Sequence, residues 1–271
     1  MVIAMAEIFD GGITITLVLF FCCFLAGFID SVAGGGGLIM VPSFILAGFP
    51  AQTALAQEKL VGTIGTMVAI RNYMKNKKIV WKIASYGIIT AIIGAYVGAK
   101  LILFFDEELV GKIIVFLFPI GLILTILPKK QHTSEASMPS GKLALFIVLF
   151  VCFTAGFYDG FFGPGTGSLM IILFHYVVKF TLLEASATSK IFNFASNIGA
   201  LIAFIIGGHV LLLKGIPMIL GNILGNYIGS NMAIKQGDTF IKKTLVTSLS
   251  ILFISLIYKY FFHDLALSLF K

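Results

Sequence analysis

Two lysines stand where a lysine is costly. Lys59 and Lys190 each lie six or seven residues inside stretches of the 271-residue chain that are otherwise nonpolar. An ammonium near the centre of a bilayer costs about 2.5–3.5 kcal/mol even on the lenient insertion scale, so a residue of this kind points to a function. Lys59 has Glu58 beside it and could instead snorkel to an interface. Lys190 has Glu184 six residues back, off the spacing at which helical neighbours meet, so its charge is expected to be unpaired and suited to an anionic substrate. Neutral hydrogen-bonding groups accompany both lysines: Gln57, Thr63 and Thr66 near the first, Thr188, Ser189, Asn193 and Asn197 near the second. Asn193 and Asn197 are four apart and share a helical face, with Ser189 and Lys190 nearby. Such groups orient the oxygens of an anion, or equally tie one helix to another.

Two aspartates and two glycine runs complete the set. Asp30 precedes Gly34, Gly35, Gly36 and Gly37, and Asp159 precedes Gly163, Gly165, Thr166 and Gly167. The aspartates could carry protons or couple a cation, cap the glycine-rich turns, or pair with the lysines. Each glycine run interrupts an apolar stretch and is followed by a helix of about eleven residues, roughly 16 Å long and too short to cross alone. Short, glycine-interrupted segments at matching places in two repeats point to a transporter's midplane site. Unwound glycines expose backbone N–H groups, and the following helix aims its positive end at whatever sits there. Close helix packing is the plainer use of glycine, and the matched register favours the site.

Other chemistries fit less well. No Gly-Lys-Ser/Thr follows the GGGG run, so it is not a nucleotide cradle, and no cofactor is implied. His132, His175, His209 and His263 are scattered without metal-ligand spacing, and Cys22, Cys23 and Cys152 lie in apolar segments without a disulfide framework. The competing class is an intramembrane enzyme of the aspartyl protease type using Asp30 and Asp159. Tyr158-Asp159 supplies half of such a signature, whereas Gln236-Gly237-Asp238 lies in a basic stretch instead of the required helix.

The elements that must hold these residues are transmembrane. Hydrophobic residues make up 59% of the chain and charged ones only 11%, against roughly 25% charged in a soluble domain. Gly11–Ile29, Ser31–Gln57, Ile191–Gly208 and Gly215–Ile234 contain no Asp, Glu, Lys or Arg. Runs of 18 or more apolar residues span about 30 Å of hydrocarbon as helices. The net charge of +7 comes from short basic loops that orient the chain in the bilayer, and is no nucleic-acid signature. The expected fold is therefore all-α and multi-pass in the cell (inner) membrane, with eight to ten membrane segments. They fall at 13–32, 38–48, 52–74, 82–104 and 109–127, then 143–161, 168–178, 184–206, 215–233 and 240–261. Glu7 and Asp10, without a Lys or Arg before the first run, argue that this run is not a cleaved signal.

The two sets are copies. At an offset of 129, CFLAGFIDSVAGGG (23–36) lies over CFTAGFYDGFFGPG (152–165) with eight of fourteen positions identical, Asp30 over Asp159 among them. At an offset of 131, TALAQEKL (53–60) lies over EASATSKI (184–191), Lys59 over Lys190, and GAYVGAK (94–100) over GNYIGSN (225–231). The chain divides into a first membrane repeat at 1–127, a polar cytoplasmic linker at 128–142 and a second repeat at 143–271. Arg71, Lys75, Lys77, Lys78 and Lys82 crowd one loop, which belongs inside with the linker. Five crossings per half make the repeats inverted and put Lys235, Lys242 and Lys243 inside as well, although charge alone barely separates this from parallel repeats.

GFIDSVAGGGGLIMVPSFILAG followed by ALAQEKL, with GFYDGFFGPGTGS followed by ASATSKIFNFASNIGAL, resembles the sulfite exporter TauE/SafE family, notably its widespread branch of bacterial inner-membrane proteins. The likeness runs from about 13 to 261. It implies a duplicated multi-helix fold and export of sulfite, an organosulfonate or a related sulfur anion. Motif by motif it points to Asp30, Gly34–Gly37 and Lys59, with Asp159, Gly163–Gly167 and Lys190. The chain departs from the family at Gln57-Glu58, where small or amide residues are usual, and the added acid makes the halves unequal. Expected partners are a small anion, the bilayer and a coupled proton or cation; a homo-oligomer is compatible with the sequence.

Overall fold

A computed structural model describes residues 12–126, 142–176, 178 and 180–257, and these are all-helical apart from the connections. The N-terminal acids, His132, His263 and most of the expected linker lie outside the described residues. The helices are α1 (Gly12–Ala33), α2 (Gly37–Leu46), α3 (Ala51–Lys75), α4 (Trp81–Ile102) and α5 (Glu107–Ile126), then α6 (Lys142–Phe161), α7 (Thr166–Tyr176), α8 (Leu182–Ile206) and α9 (Leu212–Ile257). The short pair, α2 and α7, has 10 and 11 residues. The stretch around 235–243, expected as a loop, is instead helical except at Gly237. There the backbone takes φ 65° and ψ −154° and divides α9 into two.

The breaks have local causes. After α1 the chain passes through Gly34 (φ 73°) and Gly35 (φ 93°), and after α6 through Gly163 (φ 90°) and Gly165 (φ 91°). Side chains with a Cβ rarely adopt this left-handed region, and glycine enters it freely. The carbonyls left open at the end of α1 are met from other elements. Ser31 O accepts from the Tyr73 hydroxyl (2.7 Å), Val32 O from Ser186 Oγ (2.8 Å) and Ala33 O from Ser168 Oγ (2.9 Å). At the start of α8, Thr181 and Glu184 form a capping box. Beyond the bend at Gly237, Asp238 reaches across to accept from the Leu182 and Leu183 N–H groups at 3.1 and 2.9 Å.

Helices of one half pack on helices of the other. α1 lies along α9 with Phe20, Phe24 and Phe28 opposite Gly221, Gly225 and Gly229, and α4 lies along α6 with Ala91 and Ala95 opposite Gly156 and Gly160. A Cβ at any of these glycines would strike the facing backbone, so the small residues set the close approach of the helices. Facing residue numbers rise together in both pairs, so each pair runs parallel. α3 joins the first group, since Gly65 faces Asn222 and Asn72 donates to Ser230 (2.9 Å). α8 joins the second, since Phe192 faces Gly87 and Gly199 faces Ile92. The short turn between α3 and α4 reverses the chain, so the two groups run in opposite directions.

The distribution of polarity is the reverse of a water-soluble protein's. Ile13, Leu17, Phe21 and Leu25 of α1 and Ile89 and Ile93 of α4 are exposed, while Lys59, Lys190, Asp159, Asn222 and Asn226 are buried. In hydrocarbon this is the stable arrangement, because lipid solvates the outer apolar surface and polar groups must find partners within. By length and composition α1 and α8 are each able to cross a membrane, with mean hydropathy of 2.5 and 1.5 over 18 residues.

Hydrogen bonds between distant segments fix which connections share an end of the molecule. The Val80 N–H donates to Thr188 Oγ1 (3.1 Å), and Asp238 holds the start of α8, so the 76–80 turn and the bend at Gly237 lie together. Gln52 donates to Phe105 O (2.8 Å) and Gln57 to Leu211 O (2.8 Å), which gathers the α4–α5 and α8–α9 connections at the other end. In a cysteine-free background, Asn76→Cys and Gln236→Cys should react with an impermeant maleimide from one side of the membrane, and Glu107→Cys from the other. Opposite-side labelling of 76 and 236 would break this arrangement.

Candidate functional site

α3 and α8 are the central helices, and each brings its lysine to the middle of the bundle. Residues 51–63 of α3 are buried without interruption. Lys59 is 1% exposed and Lys190 fully buried, so neither snorkels. Lys190 Nζ lies 2.8 Å from Asp30 Oδ2, and Lys59 Nζ lies 3.1 Å from Asp159 Oδ1. Each lysine therefore pairs with the aspartate of the opposite half. The expectation of an unpaired charge on Lys190 is overturned, because its counter-ion is 160 residues away in sequence and invisible to helix spacing. Of the roles open to Asp30 and Asp159, pairing with the lysines is present in both, and Asp30 also caps its glycine-rich turn through the Gly36 N–H.

The pairs are not equal. Lys59 also stands 3.0 Å from Glu58 Oε2, so two carboxylates flank it and one flanks Lys190. The ammonium of Lys59 and Oε2 of Glu58 nevertheless have no aligned hydrogen-bond partner. Asp159 is better held: its Oδ2 accepts from Ser196 Oγ at 2.6 Å. Asp30 Oδ1 accepts a long bond from the Gly36 N–H (3.4 Å), and its side chain, 13% exposed, is the least buried of these charges.

The two glycine-rich breaks lie directly against each other and against the ion pairs. A Cβ at Gly34 would overlap the Gly167–Ser168 backbone, and one at Gly37 would stand 3.3 Å from Pro164 Cα. Gly163 abuts the Lys59 ammonium, Gly36 abuts Asp30, and Gly37 lies under Glu58 Oε1. Thr166 closes its own turn by donating to Gly163 O (2.7 Å). The starts of α2 and α7 thus meet at one point, but they are packed shut instead of lining an open cavity. A narrow void beside them is lined by Thr166, Asn193 and Ser196. A larger cavity of about 480 Å³ is lined by Met67, Ile70, Trp81 and Phe194, and none of the paired charges lines it.

Several expected contacts are structural ties. Gln57 Nε2 donates to Leu211 O while its Oε1 has no partner, and Ser189 donates to Ser186 O (2.8 Å) within its own helix. Asn197 donates weakly to Asn193 (3.5 Å), and its Oδ1 has no partner. Asn197 also borders Gly62, as Glu58 does, which keeps it beside the charged centre. Ser196 was not singled out by sequence, and Tyr158 entered only beside Asp159 as half of a protease signature. Ser196 binds Asp159, and the Tyr158 hydroxyl donates to Pro164 O (3.0 Å) in the break. Only proximity across helices reveals the Ser196 contact, whereas the Tyr158 bond is local to the break. An aspartyl dyad requires two carboxylates that share a proton, whereas here each aspartate is engaged by a lysine.

The chain matches the family described as Sulfite exporter TauE/SafE over residues 19–256. It is 35% identical over 238 residues, 88% of this chain and 92% of the relative, to a "Probable membrane transporter protein" of Haemophilus influenzae. It is 34% identical over 242 residues, 89% of each chain, to "Probable membrane transporter protein YfcA" of Escherichia coli K12. A Sinorhizobium protein, "Probable membrane transporter protein ORF9", is 36% identical over 229 residues, 84% of this chain and 87% of the relative. No solved structure matches.

Breaking a buried pair leaves one charge stranded, at a cost of about 3–5 kcal/mol, whereas neutralising both partners costs far less. Asp30→Asn and Lys190→Gln should each lower the melting temperature of the purified protein by several degrees, and the double variant should recover most of the loss. Additive losses in the double variant would mean that the two charges do not stabilise each other.

Proposed function

Since the chain belongs to the sulfite exporter TauE/SafE family, we propose that it exports a small sulfur oxyanion, such as sulfite or an organosulfonate, across the cell (inner) membrane. The observation that carries this reading is the pair of buried lysines at the meeting point of the two glycine-rich breaks. In this closed arrangement the aspartates occupy the positions of anions. A substrate oxyanion takes the place of the Asp30 carboxylate on Lys190, and N–H groups at the starts of α2 and α7 complete its shell. Lys190 is the better substrate ligand because one carboxylate competes for it and two compete for Lys59.

Transport follows from where the pairs lie. Each joins opposite halves, so exchanging a carboxylate for substrate loosens the contact between them and lets one half rock against the other. We read the fold as two inverted repeats of five segments, the last two formed by α9 on either side of Gly237. The opposite directions of the α1–α3–α9 and α4–α6–α8 groups support that reading, since α1 and α6 hold matching places in the two halves. It puts the Lys-rich turn after α3 and the bend at Gly237 on the cytoplasmic side.

Binding and flux with purified protein in vesicles would test the reading. Labelled sulfite, thiosulfate, sulfoacetate and sulfate should separate, with one or more of the sulfur anions moving without nucleotide. The Asp30→Asn/Lys190→Gln double variant, once thermal melting shows it folded, should bind that anion at least about tenfold more weakly. Lys59→Gln should lose less, and Lys214→Gln, at an exposed position, nothing. Unchanged affinity in the double variant removes Lys190 from the site, and absence of flux for all four anions removes the transport reading.

A further inference from the structure

The buried centre does not balance. Asp30, Glu58 and Asp159 bring three carboxylates, and Lys59 and Lys190 bring two ammonium groups. The duplication accounts for four of these charges, Asp30 with Asp159 and Lys59 with Lys190. The fifth has no counterpart: at the repeat offset of 131, Glu58 falls on Ser189, whose hydroxyl is bonded within its own helix. With every group ionised the centre carries one net negative charge before any anion arrives. An incoming anion would then meet repulsion in a region with little water to screen it.

The geometry also separates the three acids. Asp159 accepts a short bond from Ser196, and Asp30 accepts from the Gly36 N–H while contacting Lys190. These bonds suit an ionised carboxylate. Glu58 Oε2, buried, meets only the poorly aligned Lys59 ammonium at 3.0 Å and accepts from no neutral donor. The charged groups that face Glu58 are Lys59 on its own helix, Asp159 from α6 and Asp30 from α1. Neighbouring helices bring neutral groups near it: Gly37 of α2, Asn197 of α8 across Gly62, and Gly215 of α9 against the adjacent Gln57. The acids of α5, Glu107 and Glu108, are exposed.

We infer that Glu58 is the residue that binds a co-transported proton, and that the anion enters the buried centre only when Glu58 carries it. This rests on the transport reading above. A proton from solvent forms an O–H bond on Glu58, which makes the centre neutral. The anion then binds at Lys190, and both leave on the other side as the halves rock. Each turnover moves one proton with one anion in the same direction, so transport of a monovalent anion is electroneutral.

The test uses wild-type and Glu58→Gln protein in vesicles, with methanesulfonate and sulfite as probes. Methanesulfonate keeps its single charge at every working pH, so any pH effect belongs to the protein. With wild type, an imposed gradient should drive anion accumulation of about tenfold per pH unit, the ratio set by one-to-one coupling. Glu58→Gln should still exchange anion for anion but show no accumulation in the gradient. Glu58→Ser, which copies the matching position of the second half, should behave the same, and thermal melting checks that both variants fold. In detergent, adding anion to wild type should take up about one proton per protein, read with a pH dye, and to either variant none. A gradient response retained in both variants overturns the inference. So does loss of anion exchange in both folded variants, which would make Glu58 part of the anion site. Absence of exchange of either probe in wild type overturns the transport reading for these anions, and the inference with it.

Discussion

A charge cannot stay alone in the interior of this protein, and the rest of the structure answers to that fact. Lys59 and Lys190 are buried on long, largely buried helices, where an isolated ammonium would be severely penalised. Each finds its carboxylate on the far half of the chain, Asp159 and Asp30 respectively. The two halves are thereby joined by ionic contacts at their centre. Removing one half would leave a lysine and an aspartate stranded in the other.

The glycines follow from the same requirement. For the aspartates to reach the lysines, α1 and α6 must end deep inside the bundle, and the chain must turn at once into α2 and α7. Positive φ at Gly34, Gly35, Gly163 and Gly165 makes those turns, and the missing side chains let the two breaks touch. Carbonyls exposed by ending a helix inside the bundle are satisfied by Tyr73, Ser186 and Ser168. A second set of glycines, on α4, α6 and α9, serves packing alone. There the driving force is close backbone contact, because lipid tails solvate the outer apolar side chains as well as a protein interior would.

A tightly paired centre suits a transporter better than an enzyme. Ion pairs between the two halves are contacts that can be exchanged, and under the proposed reading an oxyanion would offer a lysine the same oxygens as the carboxylate it displaces. Relatives that align over most of this chain are named as probable membrane transporters.

Much of this was legible in the sequence, because apolar periodicity and chain-breaking glycines act locally. Most of the helix positions and the two glycine breaks come from residue types a few positions apart. The family follows from the same motifs. Which aspartate meets which lysine does not, since the partners lie on different helices and in different halves. Helical spacing made Lys190 look unpaired and left Gln57 open between anion contact and helix tie; packing gave Lys190 to Asp30 and tied the Gln57 amide to the Leu211 carbonyl. The region around Gly237 read as a loop, because a basic, polar stretch mimics one. It is helical on both sides of a single turned residue, and Asp238 caps the start of α8. Local chemistry determines where this chain can bend and where it must be buried, whereas the assignment of counter-ions is a property of three-dimensional proximity alone.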